Sequence, residues 1–145
     1  MGKSEILKSL EDAKKLHQEQ MLKIEKAIEG KEVENPPELG KMECGCGSWF
    51  YSNKEYMISI LGLQLFERLD KMHEMWHMEY SKIYNILFAQ KKKGLFSKLL
   101  GNKIDPLEMD KVKLYYKDLG DITDELLHVA DAAIRRVGAL SESKF

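Results

Sequence analysis

Apolar residues recur at three- and four-residue steps near the start of the chain: Ile6, Leu10, Ala13, Met21, Ile24 and Ile28, with His17 in the same register and mostly Lys, Glu and Gln between. That period predicts an amphipathic helix over residues 4–29, stopped by Gly30. Residues 31–43, with Pro36-Pro37 and Gly40, read as a loop. The stretch ECGCGSWFY then runs from small residues into aromatics, which predicts a tight turn entering a short helix with Trp49 in the core. From 54 to 90 a second stripe places Phe66, Leu69, His73, Trp76, His77, Tyr80, Ile83 and Leu87 on one face. Unbroken, that helix would be ~55 Å long, so a break before or at Gly62 is expected. Asp105-Pro106-Leu107-Glu108 announces a last helix with an N-cap, a proline at its first position and an acid at its third. Its stripe is Val112, Tyr115, Leu119, Ile122, Leu126, Val129, Ala133 and Val137, with Gly120 as a point of weakness that would kink it.

No segment alternates as a strand does. The expected fold is all-α: a four-helix-like bundle with three long helices and a short helix after the Cys44 turn, formed as one domain over residues 1–145. The 23 basic and 24 acidic side chains nearly cancel, so the charge balance gives no reason to expect a nucleic-acid partner. No apolar run is long enough for a membrane span, and MGKSEILKSLEDA has charges where a signal peptide needs its apolar segment, so a cytoplasmic location is expected. The basic stretch KKKGLFSKLLGNK (91–103) reads as an exposed connector in preference to a contact for lipid or an acidic partner, because its two glycines weaken any helix there.

The histidines change this picture more than the charge does. His17, His73 and His77 fall on apolar stripes, whereas His128 lies among Asp121, Asp124, Glu125, Asp131 and Arg135 on a polar face. Buried imidazoles need partners, and a shared metal ion supplies one for all three. His73 and His77, at i and i+4, bring two rings to one side of a helix. Cys44 and Cys46 are too close in sequence for an unstrained disulfide and read as free thiols or ligands. Zinc favours nitrogen and sulfur donors in a tetrahedron, so His17, His73 and His77 with one cysteine of the Cys44–Cys46 turn are expected to make a closed four-ligand Zn2+ site.

These elements resemble the bacterial chemoreceptor zinc-binding (CZB) domain family. Its signature is a histidine on the first helix, a Cys-x-apolar-Gly-x-aromatic element, and His-x-x-x-His on a later helix. Here the corresponding parts are His17, Cys44 through Trp49, and His73 with His77. The resemblance implies a zinc-binding, homodimeric helical bundle that regulates chemotaxis receptors or cyclic-di-GMP synthases and responds to zinc or hypochlorous-type oxidants. Two positions depart from it: Gln20 stands where the family has an aromatic or leucine, and Cys46 takes the apolar position. Cys44 is the favoured ligand and Cys46 a small core filler; Cys46 as substitute ligand or as resolving thiol stays open. No methyl-accepting hairpin, cyclase motif or kinase motif occurs in these residues, so action either alone, as a zinc buffer, or in trans on a signalling partner is expected.

Two other readings compete. HEMWH matches H-E-x-x-H, which would make Glu74 the general base of a small zinc hydrolase. A closing thiolate and little room for a substrate cleft count against it, and no catalytic residue is assigned. Glu125 and His128 form a single Glu-x-x-His of hemerythrin- or ferritin-like type, but a di-iron site needs two such motifs and further carboxylates.

Overall fold

A computed structural model describes residues 1–89 and 104–145, and every regular element in them is helical. The 91–103 connector lies outside the described residues. Helix α1 spans Lys3–Ile28, α2 Gly45–Ser52, α3 Lys54–Leu61, α4 Leu63–Leu87 and α5 Pro106–Ala139, followed by a 3-10 turn at Glu142–Lys144. The all-α expectation, with three long helices and a short one after the Cys44 turn, is met.

The element boundaries follow from local chemistry. Asp105 caps α5 by accepting from Leu107 N, and Pro106 opens the helix with φ already suited to it. The stripe expected to break near Gly62 does so there: Gly62 sits at φ 84°, a left-handed conformation that ends α3 and starts α4. Helix α5 instead runs through Gly120 without interruption.

Helix α5 is the hub, packing along both α4 and α1. Lys3 at the start of α1 donates to Gly138 O in the last turn of α5 and to Leu140 O just past it, so these two helices run antiparallel. Phe66 of α4 packs with Val129 and Ala133, and Leu87 with Val112, so α4 is antiparallel to α5 as well. Helices α1 and α4 therefore run parallel. The apolar stripes close two cores along the bundle. One gathers Ile6, Leu10, Met57, Leu61, Phe66 and Val137; the other gathers Ile24, Trp76, Tyr80, Ile83, Val112 and Leu119. His17 lies between Leu10 and Ile24 on α1, and His73 between Leu69 and Trp76 on α4. The waist where the two cores meet is thus polar, and it is buried.

All eight stripe residues of α4 are buried as expected. On α1 and α5 the stripes are narrower, with Ala13, Met21, Ile28, Tyr115 and Ile122 only partly buried. Around the short helix the expectation is corrected by one position: Phe50 is the buried aromatic, stacked on Phe66 at 4.6 Å, and Trp49 is half-buried against α1. With only two turns, α2 can bury one narrow face, and the register of its docking selects Phe50.

Candidate metal centre

The four residues singled out from sequence meet at the waist. One ligand atom from each of His17, Cys44, His73 and His77 lies within 4.8 Å of the others, and all four residues are buried. His73 Nε2 is 3.1 Å from His77 Nε2 and 3.2 Å from Cys44 Sγ. A tetrahedral zinc site with ordinary bond lengths has N···N edges of about 3.3 Å and N···S edges of about 3.6 Å. Three elements supply the set: α1 gives His17, the N-cap of α2 gives Cys44, and one face of α4 gives both His73 and His77.

The ring tautomers follow from the outer hydrogen bonds. His17 Nδ1–H donates to Ala13 O at 2.9 Å, one turn back on its own helix. His77 Nδ1–H donates to Leu39 O at 3.1 Å, and His73 Nδ1–H to Tyr51 Oη at 3.3 Å. With each ring proton placed on Nδ1, each Nε2 keeps a lone pair. Two such lone pairs, on His73 and His77, then face each other across 3.1 Å. The Cys44 thiol has one hydrogen to offer three ring nitrogens, so protein atoms alone leave this centre short of donors. A cation satisfies all four atoms together, and outer partners on Nδ1 are the usual companions of metal-binding histidines. The donor set fits a metal.

Electrostatics run the same way. Burial holds His17 down to about 4 from its ordinary value near 6.5, so its ring is neutral at pH 7. Cys44 is driven far toward thiolate by the hydrogen bond from Cys46 and by His73 and His77, against the opposing effect of burial. The hydrogen bond to Cys44 and burial push Cys46 up, so it keeps its proton. The position of Cys44 adds to this effect. As N-cap of α2 its Sγ accepts from Gly47 N at 3.3 Å, where the positive end of the helix favours an anionic sulfur.

Gly47 is required here. A Cβ at that position would collide with the Lys41 carbonyl, which lies over the α2 N-terminus and 3.4 Å from Cys44 Sγ. The loop before α2 is also strapped to α4. Tyr80 donates to Pro37 O at 2.7 Å, His77 to Leu39 O, and Lys41 pairs with Asp70 at 2.8 Å. Asp70 in turn accepts from Tyr51 at 2.6 Å, completing a chain from His73 through Tyr51 and Asp70 to Lys41. Burial raises the Tyr51 phenol well above its usual range, so it stays a donor. Asp70 is held down, with hydrogen bonds from Lys41 and Tyr51 outweighing its partial burial. Trp76 forms the wall beside His17 and His77, with ring centroids at 5.0 and 4.9 Å, and its indole N–H donates to Thr123 of α5.

Tyr51, Asp70, Lys41 and the Leu39 carbonyl were not legible in sequence as parts of the centre. Asp70, one turn before His73, carries a spacing signal; the others come from packing alone. His128 and Glu125 are exposed, as expected of a polar face. Glu74 is exposed too, its carboxylate 3.9 Å from Lys41. Among the described residues, no second set of three or more His, Cys, Asp or Glu side chains is placed to share an ion. The Oε1 of Gln20 is buried without a hydrogen-bond partner, and nothing in the structure explains it. Comparison of the chain with protein-family models, curated proteins and solved structures finds no match.

Proposed function

We propose that this protein is a zinc-binding regulatory protein in which His17, Cys44, His73 and His77 hold one zinc ion, and whose state is read by a partner. The observation that carries this reading is the pair of His73 and His77 Nε2 atoms 3.1 Å apart with both ring protons placed on Nδ1. A divalent ion there supplies a redox-inert positive centre that keeps the thiolate ionised and offers four bonds. The nitrogen- and sulfur-rich donor set favours zinc over magnesium or calcium, which take oxygen.

The chain's own residues make this centre a switch. His17 ties in α1, Cys44 the start of α2, and His73 with His77 the middle of α4, so each ligand lost frees one element from the others. Cys44 is the weakest tie, since it sits on a two-turn helix at the end of a loop. Loss of the ion frees it. So does an oxygen-transferring oxidant of hypochlorous type: the thiolate sulfur takes the hydroxyl oxygen to become a sulfenic acid as the O–Cl bond breaks and chloride leaves. Either event lets α2 and the loop behind it shift, and a second copy of this chain or a signalling partner reads the change. The resemblance to the chemoreceptor zinc-binding family supports a homodimer acting on a chemotaxis or cyclic-di-GMP system in the cytoplasm, where Cys44 stays reduced.

Metal analysis of freshly purified protein tests the core of the proposal, with about one zinc per chain expected and metal-free or iron-loaded protein overturning it. Cys44→Ala is expected to weaken zinc binding by roughly tenfold or more. Size-exclusion and pull-down experiments with and without zinc test the dimer and the partner.

A further inference from the structure

Among the described residues, Cys46 is a potential ligand beside the centre that the four-ligand reading leaves idle. Its Sγ lies 3.6 Å from Cys44 Sγ and 3.7 Å from His73 Nε2. Ordinary zinc bond lengths give S···S edges of about 3.8 Å and S···N edges of about 3.6 Å in a tetrahedron. Cys44, Cys46 and His73 therefore already form one face of a possible coordination polyhedron, adjoining the face that His77 completes. A cavity of about 50 Å³ opens on the Cys46 side, lined by Leu10, Trp49, Phe50 and Leu126 and by three potential donors, His17, His73 and Cys46. Lys14 also lines it, its ammonium paired with Asp131 at 2.6 Å, and the rest of the wall is apolar. An ion displaced toward that cavity would exchange the His77 nitrogen for a second sulfur while keeping His17, Cys44 and His73.

From this we infer that Cys46 is a reserve sulfur donor, which lets the centre take a soft, thiophilic cation through two thiolates and two imidazoles, the Cys46 proton leaving to solvent as its sulfur binds the ion. The inference rests on the metal-centre reading above and adds the class of ion that the extra cysteine selects. Zinc, content with nitrogen, stays with three histidines and one cysteine. A softer ion such as Cd2+ or Cu+ gains more from a second sulfur than it loses with one nitrogen. An apolar residue at position 46 would fill space equally well but could offer no donor. The two cysteines are two positions apart, so they close on one ion from a single short turn without moving α1 or α4.

Parallel titrations with Zn2+ and Cd2+ of the full chain and of Cys46→Ser and Cys46→Ala test this. The readouts are competition with a chromophoric chelator and the sulfur-to-cadmium charge-transfer absorbance. Cys46 variants are expected to keep zinc affinity within a few-fold, to lose roughly tenfold or more in cadmium affinity, and to show half the charge-transfer intensity per ion. Cadmium NMR of the loaded parent protein, whose shift reports the number of bound thiolates, reads the same point without any substitution. If zinc and cadmium both bind and neither cadmium signal depends on Cys46, the reserve-donor role is wrong while the four-ligand centre stands. A Cys46 variant that loses zinc as severely as cadmium makes Cys46 an ordinary ligand and also overturns the inference. If the parent chain binds neither ion, the metal-centre reading itself falls.

Discussion

His17 is 3% exposed and has its ring proton directed to the Ala13 carbonyl, so in the absence of metal it resists protonation. Its folded value near 4 lies below the unfolded value near 6.5. A folded state that binds this proton less readily than the unfolded state is fully favoured above about pH 6.5. It loses that advantage as the pH falls toward 4. Metal-free protein is therefore expected to lose up to about 3 kcal/mol across that window, read as a falling denaturant midpoint, with His17→Gln flattening the dependence. At the same scale, Tyr51 acts on the centre through His73. Tyr51→Phe removes the partner of His73 Nδ1 and is expected to weaken zinc binding by roughly tenfold. A substitution that merely damaged packing would instead lower the melting temperature of the metal-free protein by a matching amount. Comparing the two measurements separates the cases.

Among the elements, α2 is, like α3, too short to stand alone. Two turns of helix are marginal in water, and this one is held by Phe50 in the core, by Cys44 at its N-terminus, and by the Lys41 carbonyl over Gly47. Gly47→Ala forces the 41–44 loop off the helix and is expected to cost about 1–3 kcal/mol by chemical denaturation. Because the displaced loop carries Cys44, zinc affinity should fall with it. Gly62→Ala, which strains the left-handed break between α3 and α4, should cost about 1 kcal/mol while leaving zinc affinity nearly unchanged. The two glycines thus report on different things, one on the centre and one on the bundle.

Across the whole molecule, the candidate metal centre lies where the two apolar cores meet, so α1, α2 and α4 share it while α5 braces it from behind through Thr123 and Trp76. An ion that binds only the folded chain raises its stability by mass action, about 2.7 kcal/mol at a hundredfold excess over the dissociation constant. The melting temperature is expected to rise with added zinc and to return on chelation. An unchanged melting temperature would show that the centre does not couple to the bundle. Surface ion pairs such as Lys8–Asp12 are well exposed and add little to this balance.

Periodicity alone carried the reading of the long helices, because an α-helix buries every third or fourth residue and His17, His73 and His77 stood in those registers. The Asp105-Pro106 cap and the Gly62 break were legible for the same kind of reason, as local backbone chemistry that depends on few neighbours. The three histidines were legible as candidate ligands as well, since buried imidazoles on apolar stripes need a common partner, whereas the choice of Cys44 over Cys46 came from the resemblance. What tertiary structure decided is everything set by approach between distant segments. It buried Phe50 in place of Trp49, drew Tyr51, Asp70 and Lys41 into one hydrogen-bonded chain behind His73, and brought the Leu39 carbonyl to His77. It also placed Cys46 beside the centre, with a cavity at its side. None of these follows from spacing along the chain, because each depends on how a two-turn helix and a loop settle against α1 and α4.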